Sequence, residues 1–189
     1  MTPFDEALAW IFRVEGGFVD HPSDPGGATN RGVSLRAVKL RDVDRDGKLD
    51  FDLDGDGDVD ADDIRIVGEA EARRFYNEDY WSLKGAGSQY LLSCDSLPRR
   101  WGIAVFDTAV LQGPRTAIAL TQRAVGQKED GVLGPQTLQA VRSALEAPTL
   151  ARFASHRLER MRRHPKADVF FAGWCWRVLR LHQFLYGGL

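Results

Sequence analysis

Residues 2–33, TPFDEALAWIFRVEGGFVDHPSDPGGATNRGV, decide how the rest of the chain is read. Thr2-Pro3 supplies an N-cap and a first-turn proline, with Asp5 placed to bond back to the cap. Apolar Phe4, Leu8, Ile11 and Phe12 follow at helical spacing, and Gly16-Gly17 stops the run, so the spacing predicts a helix from Thr2-Pro3 to Glu15. Glu15 lies three and four residues beyond Phe12 and Ile11, which places its carboxylate on the apolar stripe at the helix's C-terminal end. Residues 18–32 are rich in Pro, Gly, Asp and Asn and read as an irregular loop or a small β-hairpin.

Working outward, helix resumes at Ser34, and Glu69 to Trp81 reads as another helix with Ala72, Phe75, Tyr76 and Tyr80 near one face. A Gly- and Ser-containing connector over 84–98 is followed by helices at about 99–112, 115–125, 135–146, 148–163 and 168–186. With no strong strand pattern, the fold class is all-α. The 189 residues suffice for a substantial core, divided here into a unit at 1–95 and a helical unit at 96–189. The C-terminal run 169–189 is broken by Arg177, Arg180 and His182, so no segment reads as a membrane span. Acidic Asp5 and Glu6 stand where a secretory signal carries basic charge. Cys94 and Cys175 read as packing thiols.

A net charge of −2 hides a segregation. Residues 42–63 hold eleven Asp against Arg45 and Lys48, a local −9, which leaves +7 for the remainder. Within this run, Asp52, Asp54, Asp56, Asp58, Asp60 and Asp63, with Gly57 sixth and Val59 eighth, reproduce the twelve-position EF-hand-like calcium loop. An earlier copy at Asp42, Asp44, Asp46, Gly47 and Asp50 has Leu53 in the twelfth place and is degenerate. The expected cofactor is structural Ca²⁺, one site at 52–63 with 42–50 as a weaker companion. From Pro98 on, fourteen Lys and Arg face six Asp and Glu, a balance that suits an anionic polymer, though no nucleic-acid motif accompanies it.

A carboxyl group on an apolar face at the negative end of a helix is held toward its protonated form, whereas Asp24, in a polar loop beside Gly26 and Gly27, is placed to stay charged. Two carboxyl groups in unlike surroundings suit cleavage of a glycosidic bond. The spacing Glu15-x8-Asp24-x4-Thr29 resembles the glutamate–aspartate–threonine arrangement of phage-type lysozymes. The fuller string, Glu15-Gly16-Gly17-Phe18 and Asp24-Pro25-Gly26-Gly27-Ala28-Thr29-Asn30-Arg31-Gly32-Val33, with Ala72, Tyr76 and Tyr80-Trp81, resembles glycoside hydrolase family 108. That resemblance implies a lysozyme-like helical fold and a muramidase of the endolysin type that cuts the β-1,4 bond between N-acetylmuramic acid and N-acetylglucosamine.

It assigns the catalytic acid to Glu15. Asp24 then stabilises charge on the sugar, orients water or holds the loop, and Thr29 positions a water or caps a turn. Asn30, Tyr80 and Trp81 are candidates for the glycan groove, with core packing equally open for the two aromatics. Trp101 to Val110, Ala117 to Gln122 and Asp130-Gly131-Val132-Leu133-Gly134-Pro135-Gln136-Thr137 resemble the peptidoglycan-binding domain that follows such catalytic domains. The expected partner is bacterial peptidoglycan, met by a monomer made in the host cytoplasm that acts on the wall after release. A lytic transglycosylase and a non-catalytic calcium-dependent wall-binding module remain as alternatives.

Overall fold

The computed structural model describes residues 1–20, 27–83 and 92–187. It is mostly helical, as expected. Helix α1 spans Pro3–Val14, and its start is built as the sequence indicates: the Thr2 N–H donates to Asp5 Oδ2 at 2.7 Å and the Asp5 N–H donates to Thr2 Oγ1 at 3.1 Å. The chain forms two compact units, Ile11–Tyr76 and Met1–Trp10 with Asn77–Leu189. Their boundaries fall within α1 and at the end of a later helix, rather than at residue 96. Packing joins residues on the two sides of the connector. Phe4, Trp81 and Phe106 form one aromatic cluster, with Phe4–Trp81 and Trp81–Phe106 ring centroids 5.3 and 5.4 Å apart.

The unit Ile11–Tyr76 contains a two-stranded antiparallel sheet, β1 (Thr29–Asn30) and β2 (Val33–Ser34), then helices α2 (Leu35–Val38), α3 (Ala61–Ile66) and α4 (Glu69–Tyr76). Asn30 pairs with Val33, so Arg31-Gly32 form a two-residue turn. Both have positive φ, 50° and 76°, the requirement of a type I′ hairpin. Val19 bridges Thr29 through reciprocal backbone bonds of 2.8 and 2.7 Å. Between β2 and α3 the acidic segment wraps buried Phe51, Val59 and Ile64, keeping most of its carboxylates at the surface. Helix α3 was not anticipated. Its signal is Asp60-x-x-Asp63, which forms a reciprocal capping box.

In the other unit, helix α5 (Arg99–Gln112) is buried from Trp101 through Ala109, as a helix apolar on all sides must be. Helices α6 (Pro114–Ala124), α8 (Glu146–Arg162) and α9 (Ala167–Leu185) surround it, with α7 (Pro135–Ser143) between α6 and α8 in sequence. Gly102 is required on α5 because a Cβ there would lie 2.7 Å from the carbonyl oxygen of Cys94.

Inside this unit Asp107 is fully buried. It accepts from Trp10 Nε1 at 2.8 Å, Arg157 at 2.7 Å and Arg177 at 3.0 Å. Burial pushes its carboxyl up, but the two guanidiniums and the hydrogen bonds outweigh this and hold it below the ordinary carboxylate range. Arg157 is therefore buried, whereas Arg160, Arg162 and Arg163, which follow it, are exposed. On α9, Val178, Leu181 and Leu185 are buried, whereas Phe170 is exposed. Among the described residues no helix is long and apolar enough to cross a membrane.

Candidate active site

Glu15 follows the last residue of α1, and its N–H closes the final helical bond to the Ile11 carbonyl at 2.8 Å. It is half-buried rather than core-facing. The β1–β2 turn defines its surroundings. A Cβ added to Gly32 would lie 3.1 Å from Glu15 Cγ and would collide with the Tyr76 hydroxyl. Glycine is thus needed here twice, for its positive φ and for the space in which Glu15 and Tyr76 meet the turn. Tyr76 is buried on α4, and its hydroxyl donates to the Arg31 carbonyl at 3.2 Å. Phe12 packs edge-on against Tyr76 at 6.4 Å, with the Arg31 guanidinium 5.9 Å from the Phe12 ring centroid.

Gly32 and Tyr76 are therefore the residues that set the position of Glu15, and neither was singled out for that task from the sequence. The available signal was the Asn-Arg-Gly turn chemistry, since a glycine at the second turn position leaves room above it.

Thr29 is half-buried on β1. Its hydroxyl donates to the Gly27 carbonyl across a long 3.5 Å, and its backbone is fixed by Val19. Asp24 lies outside the described residues. Asp20, the next carboxylate along the chain from Glu15, is exposed.

Asn30 does something other than face a sugar. Its amide nitrogen donates to the carbonyls of Ile64, Arg65 and Val67 at 3.1, 3.1 and 3.3 Å. The Ile64 carbonyl also accepts the Val67 N–H at 3.3 Å, and the three carbonyls lie at the C-terminal end of α3, so the Asn30 amide ties the hairpin to the end of that helix. Trp81 is a second correction: at 2% exposure, between Phe4 and Phe106, its ring fills the core. The helix expected over 69–81 is α-helical only to Tyr76 and finishes as a π-helical turn, Asn77–Trp81, with Tyr80 half-buried.

The acidic segment forms two similar loops. In the second, Gly57 N–H donates to Asp52 Oδ2 at 3.1 Å, Asp56 N–H to Asp54 at 3.2 Å and Asp58 N–H to Asp56 at 3.1 Å. In the first, Gly47 N–H donates to Asp42 at 3.1 Å, Asp46 N–H to Asp44 at 3.2 Å and Lys48 N–H to Asp46 at 2.8 Å. Gly47 and Gly57 both take positive φ, so the degenerate copy keeps the turn of the other.

Carboxylate oxygens of Asp42, Asp44 and Asp46 lie within 4.8 Å of one another, as do those of Asp52, Asp54 and Asp63 and those of Asp58, Asp60 and Asp63. Asp50 is not with them. It pairs with Arg41 at 3.3 Å and Arg74 at 3.8 Å and accepts from Val43 N–H, so it ties the first loop to arginines instead of closing a cation site. Asp63 is buried, with Oδ1 taking the Leu53 and Asp54 N–H groups and Oδ2 that of Asp60. The carboxylate of Asp56, with desolvation and Asp60 and Asp63, pushes Asp58 up from its ordinary value. Crowding of this kind fits a divalent cation held by carboxylates.

In the C-terminal unit, Gln122 and Asp107 are internal. The Gln122 amide donates to Asp130 Oδ1 (2.7 Å), the Val132 carbonyl (3.1 Å) and Thr137 Oγ1 (3.2 Å), and accepts the Gly131 N–H at 2.9 Å. In the turn that enters α7, the Gly131 N–H is taken by Gln122 of α6 and the Val132 N–H by Asp130.

A family model described as glycosyl hydrolase 108 matches residues 8–113. Among solved structures, that of Brucella abortus SagA is similar, at 30% identity and a TM-score of 0.76, over 97% of this chain and 94% of that one. No curated protein matches the chain.

Proposed function

Because the chain belongs to the glycosyl hydrolase 108 family, a group of glycosidases, we propose that it is a muramidase that hydrolyses the β-1,4 bond between N-acetylmuramic acid and N-acetylglucosamine of bacterial peptidoglycan. The observation that carries this reading is the placement of Glu15, half-buried at the end of α1 and set beside the turn by Gly32 and Tyr76. A carboxylic acid so held donates its proton to the leaving glycosidic oxygen as positive charge develops on the sugar. In this proposal Asp24, which lies outside the described residues, is the second carboxylate and stabilises that charge. Thr29, with only a long bond on its hydroxyl, directs the water that completes hydrolysis.

Calcium acts structurally in this proposal. Asp52, Asp54, Asp56, Asp58, Asp60 and Asp63 would hold one ion and Asp42, Asp44 and Asp46 a second, screening the mutual repulsion of these carboxylates. The reaction itself takes no step through the metal. The helical region 96–189 would retain the enzyme on its polymer, and the chain would act on the wall after release from the cytoplasm.

The test is Glu15→Gln assayed on purified peptidoglycan. Loss of reducing-sugar release by at least about 100-fold, with an unchanged melting temperature, is the expected result. Retained cleavage sinks the assignment, and mass spectrometry showing anhydro sugars in the wild-type digest would replace hydrolysis with transglycosylation.

A further inference from the structure

The C-terminal unit contains two cavities lined entirely by residues beyond Gly102. One, of about 550 Å³, has Arg115, Arg123, Arg160 and Arg163 in its walls. The other, of about 300 Å³, is lined by Leu111, Gln112, Met161 and Trp174. Arg160 and His164 line both, so the two are neighbours and together fall within the size of small-ligand sites.

Their chemistry is unequal. In the larger, Arg123 and Arg163 are spoken for by Glu159 at 3.1 and 2.6 Å. Arg160 and Arg115 have no ion-pair partner among the described residues, and Arg115 lies across the turn at Gly131, where a Cβ would clash with its side chain. Glu129 and Asp130 also line this cavity; Glu129 lies 3.9 Å from Arg123, and Asp130 Oδ1 accepts from Gln122 and the Val132 N–H, so neither carboxylate is paired with Arg160 or Arg115. In the smaller cavity both the nitrogen and the oxygen of the Gln112 amide are buried and without a hydrogen-bond partner. An amide left this way destabilises the fold, and a ligand that brings a donor and an acceptor together relieves it. Beside it Trp174, set edge-on to His164 at 5.4 Å, and Met161 offer an apolar wall.

We propose that these joined cavities form a second ligand site, which takes a short carboxylate-bearing peptide: the stem peptide of peptidoglycan. A backbone amide of the peptide pairs with Gln112, its small side chains lie against Trp174 and Met161, and its carboxylates reach Arg160 and Arg115. Guanidinium–carboxylate pairing supplies direction as well as attraction. The identity of the peptide rests on the reading that peptidoglycan is the substrate. The site itself uses none of the residues assigned to cleavage.

The test is calorimetric titration of the full chain carrying Glu15→Gln with three soluble probes: N-acetylmuramoyl-L-alanyl-D-isoglutamyl-diaminopimelate, the same tripeptide without sugar, and an N-acetylglucosamine tetramer. Both peptide probes should bind, and the sugar tetramer should not displace them. Arg160→Ala should weaken peptide binding at least about tenfold. Gln112→Leu should weaken it severalfold while raising the melting temperature, since it removes an unpartnered amide. Absence of saturable peptide binding, binding indifferent to either substitution, or a Gln112→Leu variant that loses binding and stability together would overturn the proposal. Because binding is read on a chain lacking Glu15, failure of the cleavage reading leaves this titration unaffected. A wild type that cuts walls but ignores the tripeptide would refute only the second site.

Discussion

Gly32→Ala isolates the link between the hairpin and the candidate acid. Alanine at a φ of 76° costs about 1–2 kcal/mol in backbone conformation. Its methyl group also meets the Tyr76 hydroxyl, so the bond to the Arg31 carbonyl is lost at about 1 kcal/mol. Against this, reduced freedom of the unfolded chain returns about 0.4–1 kcal/mol. The net loss is about 1–3 kcal/mol, or roughly 2–12 °C in melting temperature for a chain of this length.

The effect on activity should be the larger one. A carbon 3.1 Å from Glu15 Cγ is closer than the roughly 3.5–4.0 Å at which carbons rest, so the carboxyl must yield by about half an ångström or more. Displacement on this scale in a catalytic group lowers kcat/KM by about 10–100-fold. The assay is clearance of purified walls at 25 °C, where the variant is still folded by circular dichroism. Adding Tyr76→Phe should restore part of the stability, because the clashing hydroxyl is gone, and little of the activity. A Gly32→Ala protein within twofold of wild-type activity would refute the reasoning that this turn positions Glu15.

Three other outcomes follow from the same structure. Asn30→Ala removes the donors shared by the Ile64, Arg65 and Val67 carbonyls; it should lower thermal stability by about 1–3 kcal/mol and reduce the rate on walls, whereas an unchanged melting temperature would show that the bridge carries no energy. Asp107→Asn removes the buried counter-charge of Arg157 and the ion pair to Arg177, and should cost about 3–5 kcal/mol at pH 7 by calorimetry. Its folded carboxyl sits below its unfolded value, so this stabilisation is full above the unfolded value and fades as the pH falls through the folded one; the gap between wild type and variant should narrow below about pH 4, and a gap constant to pH 2 would contradict the assignment. Calcium at a hundredfold excess over its Kd should raise stability by about 2.7 kcal/mol, and equal melting temperatures with calcium and with a chelator would count against the metal proposal.

The helical skeleton was legible because its punctuation is chemical and local. Thr2, Pro3 and Asp5 start α1, and the prolines at 114 and 135 open α6 and α7, as sequence periodicity and capping suggest to within a residue or two. Burial at a distance was less legible. Arg157 shares helical phase and charge with exposed neighbours, and only the fold brings Asp107 to it. Trp81 is indistinguishable in sequence from a groove residue until Phe4, from the far end of the unit, packs on it.

Asn30 shows how this limit bears on function. Within its motif it reads as a residue for the substrate, because the string around it is polar and glycine-rich. Its partners lie beyond the acidic insertion, more than thirty positions away, at the end of a six-residue helix whose N-terminus is capped by Asp60 and Asp63 of the second loop. A disturbance of that loop therefore has a short path of defined contacts to the hairpin: through α3 to its C-terminal carbonyls, through Asn30 to β1, and through Gly32 to Glu15. On the proposed reading, in which calcium is structural and Glu15 is the acid, this gives the chain a physical reason to carry a carboxylate-rich insertion bonded to the hairpin beside Glu15. It also separates two readings of the insertion. If the loop stabilises only itself, chelation and Asn30→Ala should act additively on wall cleavage. If it positions the hairpin, the Asn30→Ala protein should lose most of its sensitivity to chelation, and a double-mutant-style cycle of the two perturbations measures the difference directly.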